Sequence, residues 1–168
     1  EIKDGVLYGN LYIKGSGDPT LGSSHFTPDR SRFTEDQYRF LTSWIQAIKK
    51  ADIRKIEGSV IADESIFDSE GVSPKWLYED MGNYYGAGCY GLNVFDNLYY
   101  LQMSTGNAGE IPIIHKINPP VSGIHFHNYL QTASVATDSA FVLGGPYSTD
   151  RYLYGVVPAN RSSYTLKG

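Results

Sequence analysis

Only one stretch of this 168-residue sequence repeats its apolar side chains at helical spacing, and that scarcity points the chain towards a β-rich fold. Leu41, Trp44, Ile45 and Ile48 fall at i, i+3, i+4 and i+7, which lines one face of a helix. Ahead of them, Thr34-Glu35-Asp36-Gln37 has the form of a capping box, with Thr34 accepting from free N–H groups and Gln37 reaching back. Lys49 and Lys50 stand in the last turn, where the helix dipole favours cations. The spacing therefore predicts one helix over about 35–50.

The rest reads as strands and turns. Residues 6–14 alternate from Asn10 onward and stop at Gly15-Ser16-Gly17-Asp18-Pro19, a cluster of turn formers. Residues 56–63 read as a strand leaving the helix, and 64–90 as a long loop rich in Gly, Pro and aromatics. Further strands are expected at 92–103, 111–116, 124–131, 140–143, 151–157 and 163–166. Composition agrees: 14 Tyr, 7 Phe and 2 Trp favour strands, while 18 Gly and 8 Pro supply turns. The expected class is α+β, a β-rich layered sandwich with one main amphipathic helix and a mostly antiparallel C-terminal half. A break near Asn97 would divide a single module, 1–168, into lobes 1–97 and 98–168.

Fourteen basic against eighteen acidic residues give a net charge of −4 with no basic stripe, which argues against nucleic acid as a partner. The single cysteine, Cys89, closes no internal disulfide and removes any multi-cysteine metal site. With no histidine placed to act as its base, Cys89 reads as a small packing residue. No stretch reaches the roughly 18–20 apolar residues of a membrane-spanning helix. No signal peptide is visible, and the opening Glu1-Ile2-Lys3-Asp4-Gly5 already lies in a strand-like pattern, as expected of a piece of a longer protein.

The isolated motifs are weak. Gly86-Ala87-Gly88-Cys89-Tyr90-Gly91 matches G-x-G-x-x-G but lacks the preceding buried strand and following helix of a dinucleotide site, so a glycine-rich turn is expected. His125 and His127 share a strand face without a carboxylate at ligand spacing, which reads as two surface histidines; neither a metal nor a cofactor is expected. Glu79-Asp80 reads first as a solvated acidic turn, and Tyr78, Tyr84, Tyr85 and Tyr90 either line a groove or pack on the sheet.

Three ordered blocks are more specific. The first is Asp4-Gly5-Val6-Leu7-Tyr8-Gly9-Asn10-Leu11 running on to Gly15-Ser16-Gly17-Asp18-Pro19-Thr20-Leu21, and the second is Ile53-Arg54-Lys55-Ile56-Glu57-Gly58-Ser59-Val60-Ile61-Ala62-Asp63-Glu64-Ser65-Ile66-Phe67. The third is Trp76-Leu77-Tyr78-Glu79-Asp80-Met81, Tyr85-Gly86-Ala87-Gly88 and Leu92-Asn93-Val94-Phe95-Asp96-Asn97. Together they resemble the D-alanyl-D-alanine carboxypeptidase/endopeptidases, the low-molecular-mass class C penicillin-binding proteins. The resemblance is strong over 4–97, faint over 98–150, and recovers near Val156-Val157-Pro158 and Tyr164-Thr165-Leu166-Lys167-Gly168.

That family carries its chemistry on S-x-x-K, S-x-N and K-T-G motifs, and this sequence contains none of them. The resemblance therefore implies the accessory region inserted between the nucleophile and the S-x-N motif, catalytically inert alone, with no catalytic residue of its own. Its partners would be the transpeptidase-like catalytic domain of the same parent chain and the peptidoglycan stem peptide, in the periplasm or another extracytoplasmic space. It further implies substrate contacts at Asp80 and Tyr85, with Trp76 as a neighbouring wall. An acidic residue and an aromatic there would hold the free amine end of the diaminopimelate side chain. Two other readings stand beside this one: a β-rich module that binds peptidoglycan or a protein through its tyrosines, and a purely structural spacer.

Overall fold

The structure, a computed structural model, describes residues 1–26, 35–68 and 70–168. It divides into two compact units, Glu1–Gly71 with Cys89–Asp96, and Val72–Gly88 with Asn97–Gly168. Strands outnumber helices in the element order, and the class is α+β with one main helix.

The first unit contains β1 (Ile2–Lys3), β2 (Val6–Tyr8), β3 (Leu11–Lys14), α1 (Arg39–Lys50), β4 (Lys55–Glu57) and β5 (Val60–Asp63). β1 and β2 form an antiparallel hairpin, whereas β2–β4 and β3–β5 pair in parallel. Parallel neighbours need a long return crossover, and α1 lies in that connection. The sequence suggests one strand over 6–14 and one over 56–63, but both are interrupted at the same level. Gly9 N–H donates to the Glu57 carbonyl at 3.0 Å and Leu11 N–H to the Ser59 carbonyl at 2.9 Å. A Cβ on Gly58 would stand 2.2 Å from the Gly9 carbonyl oxygen, so the two backbones touch where a side chain has no room.

The helix also differs from expectation at its start. A 3-10 turn at Glu35–Tyr38 precedes α1, whose N-cap Tyr38 makes no side-chain cap bond. The capping box of Thr34 and Gln37 involves Thr34, which lies outside the described residues. Gln37 is buried, so its amide needs a partner, and its Nε2 donates to the Gly22 carbonyl at 2.9 Å. The apolar stripe of α1 faces Leu11, Ile13, Ile56 and Val60 across a cleft of about 470 Å³, and no helical residue is fully buried. Phe95 is buried beside Phe40 and Tyr38, at ring-centroid distances of 5.4 and 5.2 Å.

The second unit contains β6 (Tyr100–Thr105), β7 (Ile113–Asn118), β8 (His125–Asn128), β9 (Gln131–Ala133), β10 (Phe141–Leu143), β11 (Asp150–Tyr154), β12 (Val156–Pro158) and β13 (Arg161–Lys167). β13–β6–β7 and β10–β11 are antiparallel, while β11–β8 and β12–β9 are parallel. Leu101, Met103, Leu130, Val142, Leu153, Val157 and Leu166 form the core with Tyr99. Burying each aliphatic side chain contributes about 1.5–3 kcal/mol relative to exposure. Residues 92–103 do not run as one strand: Phe95, Asp96 and Asn97 take left-handed φ angles of 56, 58 and 52°, which breaks the extended backbone before β6. Polar needs at the bulge of β13 are met by Thr105, whose Oγ1 donates to the Pro158 carbonyl at 2.7 Å and accepts Arg161 N–H at 2.8 Å.

Candidate functional site

Residues 73–86 of the second unit form a loop of consecutive tight turns. Trp76 N–H donates to the Ser73 carbonyl at 3.0 Å, Asp80 to Leu77 at 3.0 Å, Asn83 to Asp80 at 3.2 Å and Gly86 to Asn83 at 2.9 Å. Pro74 follows Ser73 at the second position of the first turn, where its fixed φ is favourable. The loop is rigidly fastened by one side chain. Asn83 is buried; its Oδ1 accepts Val142 N–H from β10 at 2.8 Å and its Nδ2 donates to the Glu79 carbonyl at 2.8 Å. A second tie runs from Gly144 N–H to the Met81 carbonyl at 3.3 Å.

Within this frame the backbones on either side of Asn83 come together. A Cβ on Gly86 would lie 2.2 Å from the Asp80 carbonyl oxygen, so glycine is what allows Asp80 and the residue after Tyr85 to meet. Asp80 is half-buried, and its carboxylate has no hydrogen bond or ion pair among the described residues. Tyr85 is 59% exposed and stands edge-on to Tyr84, with centroids 5.1 Å apart at 82°. Tyr84 is in turn steadied by Lys167, whose Nζ lies 5.7 Å from its ring centroid. Trp76 is 40% exposed and belongs to the first turn of the loop. Thus Asp80 and Tyr85 flank one backbone contact, and Trp76 stands a turn earlier. Tyr78 is exposed like Tyr84 and Tyr85, and Tyr90 belongs to the other unit.

Two participants are invisible to motif reading. Asn83 meets a partner 59 positions away, and Lys167 belongs to β13. Their only sequence signals are a turn-forming Asn and a lone cation near the end of a strand.

The remaining motifs resolve as follows. Gly86–Gly91 is an irregular segment after the 83–86 turn, without a strand before it or a helix after it. Cys89 is exposed, which corrects its reading as a packing residue; its N–H is tied to the Gly71 carbonyl at 2.8 Å, so the backbone turn and not the thiol fixes the position. His127 Nε2 lies 2.8 Å from Asp150 Oδ1, and His115 Nε2 lies 2.7 Å from Ser104 Oγ. Among the described residues no three His, Cys, Asp or Glu side chains are grouped to hold a metal. No described helix is long and apolar enough to cross a membrane.

The Gly17-Asp18-Pro19-Thr20-Leu21 block has a structural explanation in the first unit. The Asp18 carboxylate accepts Thr20 Oγ1–H at 2.7 Å and Thr20 N–H at 2.8 Å, and these bonds hold its pKa below the ordinary aspartate value. Asp63, bonded by Ser65, is lowered in the same way.

Comparison with known proteins defines the class. The D-Ala-D-Ala carboxypeptidase 3 (S13) family matches residues 1–167, and the chain belongs to that family. Among its relatives, D-alanyl-D-alanine carboxypeptidase DacB of Haemophilus influenzae is 31% identical over 121 residues, which is 71% of this chain and 22% of DacB. The fold is shared with the crystal structure of penicillin binding protein 4 (dacB) from H. influenzae, at a TM-score of 0.67 and 24% identity over 99% of this chain and 34% of that one. A complex of that protein with a novel beta-lactam aligns at a TM-score of 0.57 and 21% identity, over 100% of this chain and 31% of the other. The chain therefore spans between 22% and 34% of the length of these relatives.

Proposed function

We propose that this chain is the accessory, non-catalytic region of a serine-type D-Ala-D-Ala carboxypeptidase/endopeptidase, and that its 73–86 loop borders the substrate pocket of the parent enzyme. The observation that carries this reading is the Asp80 carboxylate, half-buried yet unpaired among the described residues, in a loop fastened by Asn83. A carboxylate held in that way is prepared to pair with a substrate ammonium, and an exposed aromatic such as Tyr85 covers the aliphatic stem that carries it. The free amine of the diaminopimelate side chain in a peptidoglycan stem peptide has this chemistry. Trp76 forms a neighbouring wall.

The absence of S-x-x-K, S-x-N and K-T-G assigns bond breaking to the transpeptidase-like domain of the parent chain. There the serine oxygen attacks the carbonyl between the two D-alanines, the terminal D-alanine leaves with the proton, and water hydrolyses the acyl-enzyme. Asp80 and Tyr85 contribute binding and orientation only. The work takes place outside the cytoplasmic membrane, where peptidoglycan is found.

The test uses the full-length parent and two peptides ending in D-Ala-D-Ala, one with a free side-chain amine and one with that amine acetylated. Asp80→Asn is expected to lower kcat/KM for the free-amine peptide about tenfold or more, the scale of a lost charge-assisted hydrogen bond, and to spare the acetylated peptide. Equal losses on both peptides would remove Asp80 from the pocket.

A further inference from the structure

The sheet system of the second unit has two outer strands that do not pair. Gln131 N–H donates to the Gly155 carbonyl at 3.0 Å, and Thr132 N–H to the Glu110 carbonyl at 2.9 Å. These bonds join the small sheets into one order: β10, β11–β12, β8–β9, the lead into β7, then β6 and β13. β10 and β13 stand at its ends, and no strand pairing joins them among the described residues. Such edges leave backbone donors and acceptors without a ladder partner unless something covers them.

The seam is covered in two places. At one end the Tyr164 hydroxyl of β13 donates to Asp138, just ahead of β10. At the other end the 73–86 loop stands between the strands. Val142 and Gly144 give their N–H groups to Asn83 Oδ1 and the Met81 carbonyl, at 2.8 and 3.3 Å, and not to β13. Gly82 makes this fit possible, because a Cβ there would lie 2.7 Å from Gly144 N and 2.9 Å from the Val142 carbonyl oxygen. On the β13 side, Lys167 Nζ lies 5.7 Å from the Tyr84 ring centroid and 5.9 Å from that of Tyr100 in β6. No carboxylate lies within ion-pair distance of Lys167 among the described residues, so the tyrosine faces are its electrostatic partners. Asn83 and Gly86 are the buried residues of the loop, so no apolar side chain anchors it and its place depends on these ties.

We propose that residues 81–84 form a strap across the β10–β13 seam, and that Lys167, its fastening on the β13 side, is a positioning residue for the substrate pocket. The β10 ties alone leave the Tyr84–Tyr85 side of the loop unheld, and Lys167 supplies the second point. Tyr84 meets Tyr85 edge-on at 5.1 Å, so the cation that fixes the first ring fixes the second. The charge is what matters here: methionine fills similar space without attraction to the rings, whereas arginine keeps it. The positioning role rests on the reading of the loop as a pocket border; the strap itself does not.

Amide exchange of the 168-residue chain, read by NMR, tests the strap. Gly144 N–H is bonded to Met81, so Lys167 acts on it through the loop. Lys167→Met is expected to speed its exchange about two- to fivefold, the scale of an exposed cation–π contact, and Lys167→Arg to restore it. Lys116→Met, at an exposed lysine of β7, is the control and leaves it unchanged. Exchange at Gly144 unaltered in Lys167→Met, or altered equally in Lys116→Met, overturns the strap. In the full-length parent, Lys167→Met should raise KM severalfold for both the free-amine and the acetylated peptide with kcat retained, because Tyr85 covers the stem they share. Lys167→Arg should recover the native KM. Faster exchange at Gly144 with KM unchanged overturns the positioning role and leaves the strap. An Asp80→Asn effect confined to the free-amine peptide would then show that the pocket reading survives that failure.

Discussion

Asn83→Ala removes the side chain that fastens the 73–86 loop. Two hydrogen bonds of 2.8 Å are lost together, one from Val142 N–H and one to the Glu79 carbonyl. Their consequences differ. Glu79 is exposed, so water replaces the amide at its carbonyl at little cost. Val142 is fully buried in β10, and Asn83 is the acceptor for its N–H. A buried donor left unpaired costs about 1–3 kcal/mol, so about 2 kcal/mol is the central expectation, or roughly a 30-fold shift in the unfolding equilibrium. With a urea slope of about 1–3 kcal/mol per molar, the midpoint should fall by roughly 1 M. Urea titration of the 168-residue chain, followed by tryptophan emission, measures it. Trp76 reports on the loop and Trp44 on α1, so a Trp44→Phe background isolates the loop signal. Asn83→Asp keeps the acceptor for Val142 but buries a carboxylate against the Glu79 carbonyl, so its midpoint should recover towards that of the native chain as the pH falls and the acid protonates. A midpoint unchanged in Asn83→Ala, or an Asn83→Asp midpoint that shows no recovery at low pH relative to the native chain, would refute the assignment of the loop's order to this bond.

Gly86→Ala places a methyl 2.2 Å from the Asp80 carbonyl oxygen and should destabilise the chain by about 1–3 kcal/mol, read from the same titration. In the full-length parent it should also reduce the preference for a free-amine peptide. Asp18→Asn should leave stability near neutral pH lowered and flatten its acid limb. The sign follows from the direction of the shift: a depressed folded pKa contributes stability above the unfolded aspartate value, and that contribution disappears as pH falls through the folded value. A pH series of thermal melts compares the two proteins, and parallel curves would count against the Thr20 bonds as the cause.

How much was legible before the structure follows from the range of each interaction. The helix was readable because four apolar residues within eight positions define its face. The bond of Gln37 to the Gly22 carbonyl, 15 positions away, was not, because no local pattern encodes that choice. Alternation located the strands but overran their ends, since it does not register the backbone contact of Gly9 with Gly58 or the left-handed turn at Phe95, Asp96 and Asn97. In the candidate loop, Asp80, Tyr85 and Trp76 carry no chemical signature by themselves and were reached only through family resemblance. The partnership of Asn83 with Val142 and that of His127 with Asp150 depend on tertiary folding over 59 and 23 positions.

The claim that the 73–86 loop borders the substrate pocket can be tested by contact. A photo-crosslinking phenylalanine analogue placed at Tyr85 of the full-length parent is irradiated with a labelled peptide that bears a free side-chain amine and ends in D-Ala-D-Ala. The same analogue at Tyr147 serves as the reference position. The account predicts capture at position 85, abolished by excess unlabelled peptide, and background capture at position 147. Capture at background level at position 85, or capture that unlabelled peptide does not displace, would contradict it.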